Sequence, residues 1–321
     1  MKLLSVLFPT YNRLELMKIT LNYLLPQIER NSKDVEFIIG DNVSTDGTGE
    51  YADEICKKYD FASCVHHKEH TLTIGNFTRT IEHATGKYVI LWGDDDIPMP
   101  YAIDYLVECL KSNPDLGLLH FNVLRGKDRM EEMDKLFILS KTFKGYLTKQ
   151  PLEQFIYEHG EDSGFTTSII FDRDGWNQNI HLYDETHYGF EFLPIMFRAS
   201  KGKQCGYISC PLVFQRMPLK RAWYAKWPLY ALVGMPNIMR QMDKEGITSR
   251  AEENWRNTTC SFIFYIKCLL AASSYKKENK PLCSKINEHQ KGWLRHFLTY
   301  FIIYCIPGFV NNLLRKLAYK R

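Results

Sequence analysis

The chain has 321 residues, 45% hydrophobic and 24% charged, which supplies enough apolar side chain for a sizeable core and excludes a disordered polar chain. A formal net charge of +4 is too small to mark a nucleic-acid binder, and the basic excess is confined to the C-terminus, where Lys291, Arg295, Arg315, Lys316, Lys320 and Arg321 follow the last acid, Glu288. Nine cysteines without a CxxC pair read as reduced thiols, and the N-terminal apolar run stops at Pro9 with no cleavage site after it, so a secreted, disulfide-stapled protein is not expected.

Residues 3–8 form a short apolar run ending in Pro-Thr-Tyr-Asn, and residues 14–27 carry apolar side chains at helical spacing as far as Pro26. Residues 35–40 read as a second strand, followed by turn residues from Asp41 to Gly47 and a helix to about Lys58. A short strand over 64–66 and a helix over 76–84, closed by Gly86, come next. Residues 87–92 are the most apolar strand and run directly into Gly93-Asp94-Asp95-Asp96, ahead of a helix over 100–112. Later strands are expected at 116–124, 168–171 and 205–214, a helix at 188–200, and a polar insertion of weak pattern at 125–165. From about Trp223 the pattern is wholly helical. The alternation of strand and helix predicts an α/β fold with a mostly parallel sheet, helices on both faces, and ligands bound beyond the C-terminal ends of the strands.

Asp94, Asp95 and Asp96 stand at such a strand end. Adjacent carboxylates repel, so they require either full solvation, as in an ordinary acidic turn, or a compensating cation. A hard divalent ion, Mg2+ or Mn2+, prefers carboxylate oxygen and shares its coordination with substrate phosphates. The strand-end position favours the cation.

Phe8-Pro9-Thr10-Tyr11-Asn12-Arg13, then Asp41-Asn42-x-Ser44-Thr45-Asp46-Gly47-Thr48, then Ala84-x-Gly86-x-Tyr88 leading to Trp92-Gly93-Asp94-Asp95-Asp96, resembles glycosyltransferase family 2 in order and spacing. The resemblance covers roughly the first 110 residues and extends more weakly to about residue 216. Within the family, the stretch from Asn76-Phe77 to Asp95-Asp96 looks most like abequosyltransferase-like members that build bacterial O-antigen. It implies the GT-A fold, a Rossmann-like sheet, and inverting transfer of one sugar from a nucleotide-diphosphate sugar to a saccharide hydroxyl. Residues 1–220 would form the catalytic domain and 221–321 a helical C-terminal region.

The resemblance also implies roles for residues. Pro9, Thr10, Tyr11 and Arg13 would line the nucleotide pocket, Asp41 would hydrogen-bond the base, and Asn76, Asp94, Asp95 and Arg216 would complete the nucleotide-sugar site. Asp46 would shape or contact that pocket, or serve only as a turn and helix cap. The common family form is Asp-x-Asp-Asp, and Gly93 stands where the first Asp would be. Asp96 is therefore expected on the metal, Mn2+ or Mg2+, with Asp95 on the metal or the donor.

Inverting transfer needs a carboxylate to take the acceptor proton. Glu191, ahead of the apolar run from Phe192 to Phe197, matches the position of the family's catalytic Asp, with Asp184 and Glu185 as competitors and a plain helix-N-terminal acid as the structural alternative. Arg216, Lys220 and Arg221 would neutralise diphosphate, or form a solvated basic loop, and Trp223 would stack on sugar. Residues 293–309 are apolar but shorter than the roughly 20 residues a spanning helix needs. With the basic tail they suggest a helix lying on anionic lipid, or else one packed on the protein. The expected setting is therefore the cytoplasmic face of a bacterial membrane, with a lipid-linked saccharide acceptor and no nucleic-acid partner. A sugar-phosphate nucleotidyltransferase and a catalytically inactive nucleotide-sugar-binding module are the alternatives.

Overall fold

The structure is a computed structural model that describes residues 1–71, 73–126, 137–138, 147–160, 162–182, 190–216, 229–258, 262–273, 286 and 293–305. It divides into two compact units, Met1–Leu182 with Ile195–Pro218, and Tyr183–Pro194 with Leu219–Arg321. Residues 183–194 thus group with the second unit, although nothing in their composition separates them from the first.

The first unit is built on a 10-stranded sheet. β1 (Leu4–Thr10), β2 (Val35–Asp41), β3 (Ala62–His66) and β4 (Tyr88–Leu91) run parallel in the order β3-β2-β1-β4. Each is linked to the next through a helix: α1 (Leu14–Arg30), α2 (Thr48–Lys58) and α3 (Thr73–Ile81). Leu4, Val6, Leu7 and Phe8 of β1 are fully buried, so both faces of the strand need a covering layer, as parallel sheets do. α1 runs past the expected end near Pro26 to Arg30. The reason is tertiary: Gln27 is buried, its Nε2 donates to Met99 O at 2.8 Å, and its Oε1 accepts from Ile103 N at 3.1 Å. These bonds and the burial of Ile28 offset the donor that the proline removes from the helix.

The second half of the sheet departs from simple alternation. β5 (Asp96–Pro98) follows the acidic loop and precedes α4 (Ala102–Ser112) and β6 (Leu116–Gly126). β9 (Ile169–Asp172) lies antiparallel between β4 and β6, while β10 (Gln204–Arg216) runs parallel to β6 and antiparallel to β5. The stretch read as a polar insertion contains β7 (Phe137–Ile138), β8 (Leu147–Pro151) and α5 (Leu152–His159). α5 buries Leu152, Phe155, Ile156 and His159 at helical spacing, a short pattern that its polar flanks hide in the sequence. The fold is α/β, with a helical C-terminal region.

In the second unit the described elements from Tyr230 onward are helices, including Met235–Lys244, Ala251–Thr258, Phe262–Ser273 and Trp293–Tyr300. Asp243 joins the first two of these helices: its Oδ1 accepts from Ala251 N at 2.7 Å and its Oδ2 from Glu252 N at 3.0 Å. Glu252 then receives Arg240 through Nε (3.0 Å) and Nη2 (2.6 Å), and Arg256 through Nη2 (2.6 Å). Burial alone would raise the pKa of Glu252, but the two guanidiniums outweigh it and hold the carboxyl at about 2. A folded-state pKa below the unfolded value gives stability that is complete above about pH 4.5 and is lost as pH falls toward about 2. Glu252→Gln should therefore unfold with a shallower acid dependence in that window by circular dichroism. Superimposable acid titrations of the two proteins would mean that solvent screens the pair.

Candidate functional site

The C-terminal ends of β1 and β2 are tied together by their following loops. Asn12 N donates to Ser44 Oγ at 2.9 Å, and Thr45 N donates to Asn12 Oδ1 at 2.8 Å. Arg13 N donates to Thr48 Oγ1 at 3.1 Å, and Leu14 N to Asp46 Oδ2 at 3.2 Å. Asp46 also accepts from the Thr48 amide and hydroxyl. Burial alone would raise the Asp46 pKa, but these bonds hold it below the ordinary carboxylate range. Its side chain is thus engaged in capping. Asn12 and Val43 sit at φ of 50° and 66°, the left-handed region that a β-branched residue rarely occupies, which shows how tightly the paired loops are constrained.

Around these loops stand the residues expected to line a nucleotide pocket. Pro9 is part-buried, Thr10 is buried, and Tyr11 and Arg13 are exposed. The Tyr11 ring lies 4.3 Å from that of His70, centroid to centroid. Asp41, at the end of β2, is buried, with Oδ1 accepting from Ser44 N at 3.2 Å and Oδ2 lying 3.3 Å from His66 Nδ1. Asn76 is buried behind Thr10: its Nδ2 donates to Thr10 O at 3.4 Å, and its Oδ1 lies 2.7 Å from His67 Nε2. Its amide therefore holds the end of β1 from within, a bracing role rather than an exposed contact.

The acidic loop joins the same strand end. Thr10 Oγ1 donates to Asp94 Oδ2 at 2.9 Å, and Thr20 Oγ1 donates to Asp94 O at 2.9 Å. The buried Arg216 donates through Nε to Asp95 O at 2.6 Å and through Nη2 to Thr20 Oγ1 at 3.1 Å. Burial raises the Asp94 pKa to about 7, and the neighbouring charge of Asp95 adds to that rise; Arg13, Thr10 and Arg216 counter it only in part. Burial is thus the larger reason that the Asp94 carboxyl takes up a proton more readily than an exposed one, and the adjacent acid the smaller. The loop has the oxygen-only donor set that Mg2+ and Mn2+ select.

Asp96 opens β5 rather than lying free in the loop, and it is buried. Its Oδ2 accepts from Thr167 Oγ1 at 2.6 Å, Thr167 Oγ1 accepts from Gly93 N at 3.0 Å, and the Trp92 indole donates to Asp96 O at 2.9 Å. This network explains the glycine at 93: a Cβ there would stand 2.6 Å from Asp96 Oδ2 and 3.1 Å from Thr167 Oγ1. Gly93→Asp should cost about 1–3 kcal/mol through overpacking, with like-charge repulsion added. It should lower Tm; an unchanged Tm would show that the loop can open to admit a side chain.

Across the antiparallel β5–β10 pair, Gln215 lies opposite Asp96. Its Oε1 is buried and has no hydrogen-bond partner among the described residues, and directly paired residues put their side chains on the same face of the sheet. Thr20, Thr167 and Gln215 carry no spacing signal in the sequence; Thr20 comes to the acidic loop from α1, Thr167 from the turn ahead of β9, and Gln215 by strand pairing.

Glu191 belongs to the second unit and immediately precedes α6 (Phe192–Ala199). It is buried, beside aromatic packing in which the Phe190 ring lies 5.5 Å from that of Tyr230. Burial, and next the charge of Glu191, push the Tyr230 hydroxyl up to about 12. Asp184, Glu185, Lys220, Arg221 and Trp223 lie outside the described residues.

The sequence profile of Glycosyl transferase family 2 matches residues 5–183, more than half of the chain. Abequosyltransferase RfbV of Salmonella typhimurium (strain LT2) is 27% identical over 233 residues, which span 67% of this chain and 66% of that protein, just under two thirds of its length. Among solved structures, S. aureus TarS 1–349 has a TM-score of 0.60 at 14% identity, covering 100% of this chain and 93% of that one. The mannosyltransferase PcManGT from Pyrobaculum calidifontis, in complex with GDP-Man and Mn2+, has a TM-score of 0.54 at 15% identity, covering 98% and 87%. These structures share the fold, and the profile match gives the lineage: the chain belongs to glycosyl transferase family 2.

Proposed function

We propose that this chain is an inverting enzyme that transfers one sugar from a nucleotide-diphosphate sugar to a hydroxyl of a lipid-linked saccharide during bacterial surface-polysaccharide synthesis. The observation that carries this reading is the convergence of Thr10, Asp94 and the β5 carboxylate Asp96 at the ends of β1 and β4, where α/β sheets bind ligands. Tyr11 and Asp41 would receive the nucleoside, and Arg13 would approach the diphosphate. Asp96 and Asp95 would hold Mn2+ or Mg2+, with Gln215 Oε1 toward the same side. When bound, that ion offsets the charge of the departing diphosphate. PcManGT, which shares the fold, was solved with GDP-Man and Mn2+, and S. aureus TarS 1–349 has been solved with UDP-GlcNAc.

Glu191 would take the proton of the acceptor hydroxyl as that oxygen bonds to the anomeric carbon and the bond from carbon to diphosphate oxygen breaks. Its aromatic surroundings limit competing water. A panel of nucleotide sugars, assayed for nucleoside diphosphate release with and without Mn2+, tests the reading. Metal-dependent release from one donor, with anomeric inversion by NMR, is expected; consumption of a nucleoside triphosphate with pyrophosphate release would contradict it.

The acceptor side rests on the helix Trp293–Tyr300 and the π-helical segment Phe301–Cys305 that continues it. Trp293 is 78% exposed and Phe297 53%, and Leu294, Tyr300 and Phe301 are also exposed. Positions 293, 297, 300 and 301 recur at helical spacing, so the apolar side chains make one face that could lie on lipid. Among the described residues no helix is long and apolar enough to cross a membrane. Burial of each large side chain contributes about 1.5–3 kcal/mol. The double substitution Trp293→Ser, Phe297→Ser should therefore lower co-sedimentation with phosphatidylglycerol vesicles more than about tenfold. Unchanged partitioning would remove this helix from the membrane reading.

A further inference from the structure

A second cluster of ligating groups lies on the outer strand of the sheet, apart from the acidic loop. Among the described residues β3 pairs only with β2, and α2 packs against it. Cys64 and Asp53 both reach His66: Cys64 Sγ lies 3.5 Å from its Nε2, and Asp53 Oδ1 lies 3.0 Å from the same nitrogen. Cys64 and His66, two positions apart on the strand, project from the same face. One ligand atom from each of the three residues falls within 4.8 Å of the others.

Tetrahedral zinc has Zn–S bonds of about 2.3 Å and Zn–N or Zn–O bonds of about 2.0–2.1 Å, which set an S···N edge of about 3.5 Å and an N···O edge of about 3.3 Å. The spacings in the cluster match the first edge and fall a few tenths of an ångström short of the second. A thiolate, an imidazole and one carboxylate suit Zn2+, whereas Mg2+ and Mn2+ prefer an all-oxygen set.

An independent feature supports the same ion. His66 Nδ1, the ring nitrogen turned away from the cluster, lies 3.3 Å from Oδ2 of Asp41, a carboxylate only 4% exposed. A zinc-bound histidine commonly donates its other N–H to such a carboxylate, which fixes the tautomer and the ring orientation.

We propose that Cys64 Sγ, His66 Nε2 and a carboxylate oxygen of Asp53 bind Zn2+, with water completing the tetrahedron and Asp41 orienting the imidazole from behind. The thiol proton passes to solvent on binding, and the metal keeps the sulfur deprotonated. The ion would fasten the outer strand to α2 beneath Asp41, and it stands independently of the role proposed for the acidic loop.

The test is a Co2+ titration of reduced, metal-stripped full-length protein. One equivalent should produce thiolate-to-cobalt charge-transfer absorption that Zn2+ bleaches. Cys64→Ser should abolish the band, Asp53→Ala should weaken Zn2+ binding at least tenfold, and Asp41→Asn should weaken it about 10–100-fold. Asp96→Ala should leave the band intact, which separates this site from the acidic loop. Absence of the band in the unmodified protein, or a band unchanged in both Cys64→Ser and Asp53→Ala, overturns the proposal. Asp53 is exposed, so its variant remains informative if Cys64→Ser does not fold.

Discussion

Glu191→Gln should lower kcat about 10²–10⁴-fold while donor affinity stays within about twofold, because a general base acts in the transition state and makes no ground-state contact with the nucleotide. Glutamine keeps the size and the hydrogen-bonding reach of the side chain and removes only its basicity. The buried setting makes the expectation specific, since Glu191 follows Phe190, whose ring packs on that of Tyr230, and the substitution exchanges one buried side chain for another of the same shape. Steady-state kinetics with saturating acceptor, alongside donor binding by calorimetry, checks the split. Unchanged kcat would reduce Glu191 to an ordinary acid before a helix and would return attention to Asp184 and Glu185. A rise in the donor Kd with kcat unaltered would assign it to substrate binding.

Asp96→Ala carries the second large expected effect: loss of metal-stimulated transfer by about 10²–10³-fold, the range seen when a preorganised charge-stabilising group is removed. Two consequences combine. The oxygen that Thr167 holds at 2.6 Å disappears, and the Thr167 hydroxyl and Gly93 amide lose the carboxylate that anchors their network. Thr167→Val separates these effects. It keeps the carboxylate but removes its donor, so it should cost transfer less than Asp96→Ala, with Mn2+ dependence retained. Equal losses in the two variants would make the network itself, rather than the carboxylate, the essential feature.

The parts of this structure legible in the sequence are those with local signals. β1 and β4 announce themselves as short, mostly apolar runs, and the Pro9–Arg13 and Asp41–Thr48 loops as turn residues at strand ends. The stitching of these loops follows from small polar side chains that can cap neighbouring backbone, as Asp46 and Ser44 do. What could not be read depends on partners distant in sequence. Nothing local distinguishes Ile169–Asp172 as an antiparallel strand, because its direction is set by β4 and β6 on either side. Gly93 stands where the family motif has an acid because Thr167, brought in ahead of β9, occupies the space beside Asp96. The motif gives no sign that the Asn76 amide bonds Thr10 O and His67 inside the fold. Arg216, expected to face diphosphate, bonds the backbone of the acidic loop.

Ligand-linked thermal stabilisation tests the proposed metal and diphosphate role of the acidic loop most directly. Unmodified protein and Asp96→Ala would be melted with a panel of nucleotide sugars, with and without Mn2+. Binding to the folded state raises Tm by mass action, by about 2.7 kcal/mol of added stability at a ligand concentration one hundred times Kd. At least one donor should raise Tm of the unmodified protein only when Mn2+ is present, and Asp96→Ala should lose that rise. A donor shift that is equal without metal, or that persists in Asp96→Ala, would contradict a metal and diphosphate centre at Asp94-Asp95-Asp96.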